Sequence, residues 1–185
     1  MKKIAILASG NGTNAEAIIQ HFKTATKAKI TLVGSNNPKA YVLERAANHG
    51  IVHFTFDKKE FENGSVRAFL LLKGIDMIIL AGFLLRVPEN ILQTFPNAIV
   101  NIHPALLPKF GGKGMYGDRV HQAVKEAGEK VTGITIHWVN EHYDEGEIIF
   151  QKEVAVDESD TPEQIAEKVH VLEHKYFPKV IESLI

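Results

Sequence analysis

The residues best suited to chemistry lie in the stretch NIHP and in a polar turn further along the chain. Asn101 and His103, with one residue between them, stand at the carboxyl end of an apolar run, and Asp144 lies in the segment EHYDEGEII. An Asn amide and a protonated His can both donate to the oxyanion of a tetrahedral intermediate. A carboxylate beside the histidine would either raise its pKa or take a proton from an attacking amine through a water. The set indicates acyl transfer to an amine without a Ser or Cys nucleophile.

A second candidate is the loop SGNGTNA, residues 9–15, between a predicted strand and a predicted helix. Backbone amides at such a turn form an anion site. Gly10, Gly12 and Ala15 match the dinucleotide fingerprint, but NAD also needs an acidic residue after the second strand, and residues 29–41 contain none. The loop therefore favours a single phosphate monoester, with donors from the side chains of Asn11, Thr13 and Asn14. A tight turn that binds nothing is the alternative.

The elements that position these residues predict an α/β fold with a doubly wound, mostly parallel sheet and an added antiparallel hairpin. Apolar runs at 3–8, 29–35, 51–56, 75–81 and 97–102 alternate with helical patterns at 13–23, from Pro38 to Gly50, and in a helix that reaches Gly74. Runs at 131–139 and 147–156 predict the hairpin. Thr161 and Pro162 open a final helix, which Pro178 is expected to kink or break.

Composition excludes several classes of function. The 185 residues carry a formal net charge of −1, which gives no electrostatic reason to expect nucleic acid or an anionic membrane. Without cysteine there is no disulfide, thiol nucleophile or thiolate metal site, and His170 and His174 lack a third metal ligand. The longest apolar run, residues 77–85, is too short to span a bilayer. We predict a single cytoplasmic domain that holds no metal.

Together the motifs resemble those of the phosphoribosylglycinamide formyltransferases, a folate-dependent family of purine synthesis. They are ASGNGTN, ERAANHGI, AGF, NIHPALLP, TIHWVNEHYDEGEII and EHKYFP, and they run in order from Lys3 to Pro178. The resemblance implies direct transfer of formyl from 10-formyltetrahydrofolate to the amine of 5'-phosphoribosylglycinamide, by a monomer or homodimer whose partners are small molecules. It also implies a phosphate-binding half at 1–102 and a catalytic, folate-binding half at 103–185.

The resemblance also implies roles for individual residues. It assigns catalysis to Asn101, His103 and Asp144. It assigns the substrate phosphate and ribose to Asn11, Gly12, Thr13, Asn14 and Glu173, although Glu173 by itself suggests a solvated helix residue. It places the folate along Leu84, Leu85, Arg86 and Val87, with Asn101, the backbone from Glu141 to Asp144, and Lys59.

The sequence departs from the family pattern at two places. Relatives commonly have an arginine at the position of Leu85, and here the arginine follows as Arg86. The segment FGGKGMYGDRVHQAV is longer and richer in glycine, which predicts either a mobile flap, with Lys113 or Arg119 near an anionic substrate, or a connection without function. His137 is expected near the site or within the sheet, and His121 is expected to be an ordinary helix residue.

Three other functions share part of this pattern. Formyltetrahydrofolate deformylase has the same Asn, His and Asp, but usually carries a domain before the first strand, which here begins at Lys2. Methionyl-tRNA formyltransferase needs a second, more basic C-terminal domain, for which we expect 185 residues to leave no room. A phosphate- or nucleotide-binding module without catalytic activity is the third. The acceptor of the formyl group would be water in the first alternative and a nucleic acid in the second, and the third would transfer no formyl group.

Overall fold

Seven strands form one sheet in the computed structural model, which describes residues 1–185. They are β1 (Lys2–Leu7), β2 (Ala28–Ser35), β3 (Val52–Thr55), β4 (Met77–Leu80), β5 (Ile99–His103), β6 (Val131–Trp138) and β7 (Ile148–Ala155). Their order across the sheet is β3-β2-β1-β4-β5-β6-β7. The first five are mutually parallel, and β6 pairs antiparallel with both β5 and β7. The predicted parallel sheet with an added hairpin is confirmed.

Seven helices cover the two faces of this sheet. They are α1 (Thr13–Phe22), α2 (Tyr41–Asn48), α3 (Lys58–Glu62), α4 (Ser65–Leu72), α5 (Glu89–Thr94), α6 (Asp118–Glu126) and α7 (Pro162–Ser183). One core contains side chains from α1, α2 and α7, and the other contains side chains from α3, α4 and α5. The middle strands are buried on both sides, which explains why their sequences are continuous apolar runs. No helix combines the length and apolar composition that crossing a membrane requires.

The predicted start of α2 at Pro38 is wrong. The Asn37 side chain accepts a hydrogen bond from the Lys39 N–H at 3.0 Å, and the Asn37 carbonyl accepts one from the Ala40 N–H at 3.0 Å. These bonds form a turn, so the helix begins only at Tyr41. The Asn-Asn-Pro segment thus uses its side chains for a turn, which competes with helix initiation.

Two other helix predictions need correction. The helix that reaches Gly74 is two helices, because Gly64 adopts φ 92 between α3 and α4. Pro178 does not break α7, which runs from Pro162 to Ser183. Phe177 and Ile181 on either side are fully buried in the core, and this packing keeps the helix in place where Pro removes one backbone hydrogen bond.

The chain reverses its direction across the sheet between β1 and β4. From β1 it builds outward to β2 and β3, and it then returns to build β4 and β5 on the other side. Such a switch point leaves a crevice at the carboxyl ends of the strands, where α/β proteins bind ligands. Ser9 joins the two loops there, because its N–H donates to Gly82 O at 3.0 Å and its Oγ accepts from Leu84 N–H at 2.9 Å.

Candidate active site

A cleft of about 790 Å³ lies at this switch point. Its walls come from the loop after β1, the loop after β4, the end of β5, the glycine-rich segment before α6, and the β6–β7 turn; α6 and α7 each add side chains. The volume is within the range of small-molecule sites. The lining residues include 10–14, 80–87, 101–104 and 112–118, together with His121, His137, Asp144, His170 and Glu173.

Asn101, His103 and Asp144 meet in this cleft. Asn101 and His103 are two residues apart on β5, so their side chains point to the same face of the sheet. Asp144 approaches from the β6–β7 turn, where its backbone has φ 56. Its Oδ2 lies 3.5 Å from His103 Nδ1, and its Oδ1 lies 3.6 Å from Nε2 of His137. The structure therefore brings the three residues together around one point.

His137 holds Asn101 in place. The two residues are paired across β5 and β6, and the Asn101 amide nitrogen donates to His137 Nε2 at 3.1 Å. The other ring nitrogen, Nδ1, lies 2.9 Å from Trp138 O, so it carries the proton and Nε2 accepts. An amide nitrogen has two hydrogens, and the second remains for a ligand oxygen. His137 therefore lies next to the catalytic candidates. The sequence analysis expected it either near the site or within the sheet.

His103 is held by a main-chain carbonyl. Its Nε2 donates to Phe110 O at 2.7 Å, which leaves Nδ1 facing Asp144 and the cleft. Burial lowers the pKa of His103 below 6.5, and this outweighs the opposing effects of the Asp144 charge and the Phe110 carbonyl. The expectation that Asp144 would give His103 a raised pKa is therefore wrong in its net direction. His103 is mostly neutral at pH 7, with an unprotonated Nδ1.

Asp144 stays ionised. Burial raises the pKa of this carboxyl, but the rings of His137 and His103, which place a proton and positive charge beside it when they are protonated, and the N–H of Gly112 together lower it below 3.8. The Gly112 N–H donates to Oδ2 at 2.9 Å. A carboxylate with so low a pKa is a weak base at neutral pH, and its main effect is to stabilise a positive charge on a neighbouring imidazole.

The loop after β1 forms the opposite end of the cleft. Gly12 adopts φ 77 directly before α1, and Thr13 and Asn14 supply the first helical N–H groups. Asn14 Nδ2 donates to Glu173 Oε2 at 2.9 Å. Burial raises the pKa of Glu173, although Asn14 and His170 oppose this rise. Glu173 is only 5% exposed, so it is part of the cleft and not a solvated helix residue.

The expected folate contacts are only partly in the cleft. Leu84, Leu85, Arg86 and Val87 line it, and Val87 is buried. Lys59 does not line it and is exposed on α3, so the structure does not bring it together with the other expected folate contacts.

The residues expected near the rim and the glycine-rich segment also divide between the cleft and the surface. Glu141 is exposed beside His142, its carboxylate 3.7 Å from that ring, although both of its neighbours line the cleft. Lys113 lines the cleft as well. Arg119 does not line the cleft, and its guanidinium lies over the Tyr116 ring.

His121 is a buried cleft residue that the sequence analysis missed. It is 2% exposed on α6, and its Nδ1 has no hydrogen-bond partner. Burial, with smaller effects from His170 and His103, lowers its pKa to about 4 against the opposing charge of Asp118. The available signal was its position between Val120 and Val124, on the apolar stripe of the helix. No group of three or more His, Cys, Asp or Glu residues is arranged to hold a metal ion.

Comparison with known proteins adds a family to this geometry. The formyl transferase family model matches residues 2–181. A phosphoribosylglycinamide formyltransferase of Bacillus subtilis is 42% identical over 191 residues, covering 100% of this chain and 95% of the relative. The crystal structure of a phosphoribosylglycinamide formyltransferase from Bacillus halodurans is 38% identical, with a TM-score of 0.91 over 99% of this chain and 95% of that one. A glycinamide ribonucleotide transformylase from Geobacillus kaustophilus has a TM-score of 0.91 at 34% identity, over 100% and 98% of the two chains.

Proposed function

The chain belongs to the formyl transferase family, and we propose that it transfers a formyl group from 10-formyltetrahydrofolate to the amine of 5'-phosphoribosylglycinamide, in the de novo synthesis of purines (IMP). Full-length similarity to phosphoribosylglycinamide formyltransferases confirms the resemblance seen in the motifs, and it makes the chain an enzyme of this class. The observation that carries the proposal is a single cleft that joins the Asn101, His103 and Asp144 cluster to an anion-binding loop.

Asn101 stabilises the reacting oxygen in this proposal. When the amine attacks the formyl carbon, the new C–N bond pushes negative charge onto the formyl oxygen. The second N–H of the Asn101 amide is already oriented, because His137 accepts the first at 3.1 Å. A donor fixed before the reaction stabilises the developing charge without reorganisation at the moment of attack.

His103 moves the proton. The attacking amine becomes an ammonium and must lose a proton, and the Nδ1 of a neutral His103 can take it. The resulting imidazolium is stabilised by the Asp144 carboxylate and by Phe110 O, which accepts from Nε2 at 2.7 Å. His103 then returns the proton to the folate nitrogen as its bond to the formyl carbon breaks. Asp144 thus supports the charge on His103, and its lowered pKa argues against its being the base itself.

The other end of the cleft suits the phosphoribosyl group. The N–H groups of Gly12, Thr13 and Asn14 lie at a helix N-terminus, and Asn11 adds an amide, so this loop would bind the phosphate. Glu173 carries buried acceptors beside Asn14, which suits hydroxyl groups such as those of ribose. Water, the acceptor in a deformylase, would use none of these groups.

The donor would lie along Leu84, Leu85, Arg86 and Val87. This strip combines an apolar wall with main-chain N–H and C=O groups, which fits a planar, largely apolar heterocycle with a polar edge. Asn140, next to Glu141, also lines the cleft. The proposal involves two small-molecule substrates in the cytoplasm and needs neither NAD nor a metal.

The first experiment follows the formyl group with purified protein and 10-formyltetrahydrofolate, with and without the ribonucleotide. We expect tetrahydrofolate to appear only when the ribonucleotide is present, together with formylated ribonucleotide. Equal turnover without it would identify water as the acceptor and a deformylase. An absence of turnover in both samples, with the ribonucleotide still bound in calorimetry, would leave a binding module and overturn the proposal.

A further inference from the structure

Helix α2 contacts three consecutive residues of the loop that follows β1. The Val42 N–H donates to Gly10 O at 3.2 Å. Arg45 donates to Asn11 twice, from Nε to the backbone oxygen at 2.9 Å and from Nη2 to Oδ1 at 2.8 Å. Val42 also packs so closely on Gly12 that a Cβ there would lie 2.4 Å from Val42 Cγ2. Helix α2 is therefore bonded to or packed on the loop from Gly10 to Gly12.

Arg45 is itself fixed from two sides. Its Nη1 lies 3.6 Å from a Glu16 carboxylate oxygen, and its guanidinium stacks over the Tyr41 ring at 4.8 Å from the centroid. Glu16 is held in turn by His49, whose Nε2 lies 2.7 Å from Oε1. Glu16 belongs to α1 and the other residues to α2 or its end, so the network joins both helices that flank the loop.

We propose that Arg45 is a positioning residue that holds the phosphate-binding loop in the shape that accepts the ribonucleotide. Neither Val42 nor Arg45 lines the cleft, so Arg45 acts through Asn11 and not by contact with the ligand. The inference rests on the proposed function, because it assigns the loop to the substrate phosphate.

The hydrogen bond from Arg45 Nη2 to the Asn11 side chain also decides which end of that amide faces away from Arg45. A guanidinium has only donors, so the atom bonded to it must be the amide oxygen. This leaves the two N–H donors of Asn11 for another acceptor, and an anion in the loop is an acceptor. A planar guanidinium can make both bonds at once, and a Lys ammonium on a flexible stem cannot reproduce that fork.

The test compares Arg45→Lys and Arg45→Met with the wild type in formyl transfer. Losing a fixed pair of hydrogen bonds should raise the KM for the ribonucleotide about tenfold in both variants, with kcat and the KM for the folate donor unchanged. Arg67→Met is the matched control, because Arg67 lies on α4 and contacts Thr94, far from the loop. In an Asn11→Ala background the effect of Arg45→Met should shrink, which a general loss of stability would not cause.

Each other outcome overturns the inference. A Lys variant with the wild-type KM would show that only the charge of Arg45 matters, and Lys and Met variants that both behave like the wild type would show that the helix does not shape the loop. If the wild type transfers no formyl, the proposed function fails separately, and calorimetry with the ribonucleotide then compares the same variants. A wild type that binds no ribonucleotide would overturn both.

Discussion

Asn101 illustrates how a single side chain can be oriented by the residue across the sheet from it. Replacing Asn101 with Ala removes the donor to the reacting oxygen and leaves the surrounding strand intact. We expect kcat to fall about 10²- to 10³-fold, the cost of one oxyanion donor, with little change in either KM. Steady-state kinetics of the variant measure this directly.

His142→Ala is the control for Asn101→Ala, because His142 lies at the exposed rim of the same cleft, 61% accessible at its side chain. It should retain nearly full activity. A comparable loss of kcat in both variants would mean that the cleft wall, and not the amide donor, was disturbed.

The lowered pKa of His103 predicts the acid side of the pH–rate profile. If neutral His103 takes the proton, kcat is maximal above its pKa and falls as pH drops through a value below 6.5. Asp144→Asn removes the charge that favours the imidazolium, so the remaining activity should fall off at a still lower pH, and kcat should drop. Because His103 and Asp144 titrate as a pair, the profile reports apparent values of the pair. An acid limb that moves to higher pH in Asp144→Asn would contradict this assignment.

The sequence made Asn101, His103 and Asp144 recognisable as candidates, because residue type and position after a strand are local properties. The direction of the His103 pKa shift could not be predicted in this way, because it depends on residues that are distant in the sequence. It depends on the balance between burial, which lowers the pKa, and the contacts with Phe110 O and Asp144, which raise it, and these groups meet only in the folded protein. His121 was missed for the same reason, since a histidine on the apolar stripe of a helix has no fixed partner until another helix packs on it.

At the scale of elements, the β6–β7 hairpin carries Asp144 to the cleft, and Gly146 sets its path. A Cβ on Gly146 would lie 1.6 Å from Trp138 O, the carbonyl that also bonds His137. Gly146→Ala should therefore displace the turn, lower the free energy of unfolding by about 1–3 kcal/mol and reduce kcat. Urea unfolding and steady-state kinetics measure the two effects.

Glu145→Ala is the control for Gly146→Ala, because Glu145 is exposed in the same turn. It should change neither quantity measurably. Wild-type kcat in Gly146→Ala would mean that the position of Asp144 tolerates movement of the turn, against the proposed support of the charge on His103.

Strands were easier to predict from the sequence than short helices. Each apolar run became a strand, because burial on both faces leaves a clear pattern over a few residues. Helix α5, with six residues, and the break at Gly64 have no comparable signal. Lys59 is not in the cleft lining, because the resemblance gave only a position along the chain, and packing decides whether a side chain on α3 reaches the cleft.

At the scale of the whole molecule, the order of strands explains why distant segments form one cleft. Placing β1, β4 and β5 side by side brings together loops that are about 90 residues apart in sequence, from Gly10 to Asn101. The proposed halves, 1–102 and 103–185, then meet at the site, and Asn101 lies at their boundary. Helix α7 from the second half reaches back to the first through Glu173 and Asn14.

The burial of His121 makes the stability of the whole fold depend on pH. Its pKa of about 4 in the folded protein lies below its ordinary value of 6.5, so the unfolded chain binds more protons between these values. The stabilisation is therefore complete above pH 6.5 and is lost as pH falls towards 4, by about 3 kcal/mol from this group. Urea unfolding at several pH values between 7 and 4.5 should show that His121→Gln, which has no titrating group, loses less free energy of unfolding than the wild type as the pH falls.

His53→Gln, on the exposed edge strand β3, is the control, and its free energy of unfolding should depend on pH as that of the wild type does. Identical slopes for His121→Gln and the wild type would mean that the protonated ring finds a partner in the folded protein, and that α6 moves to supply it.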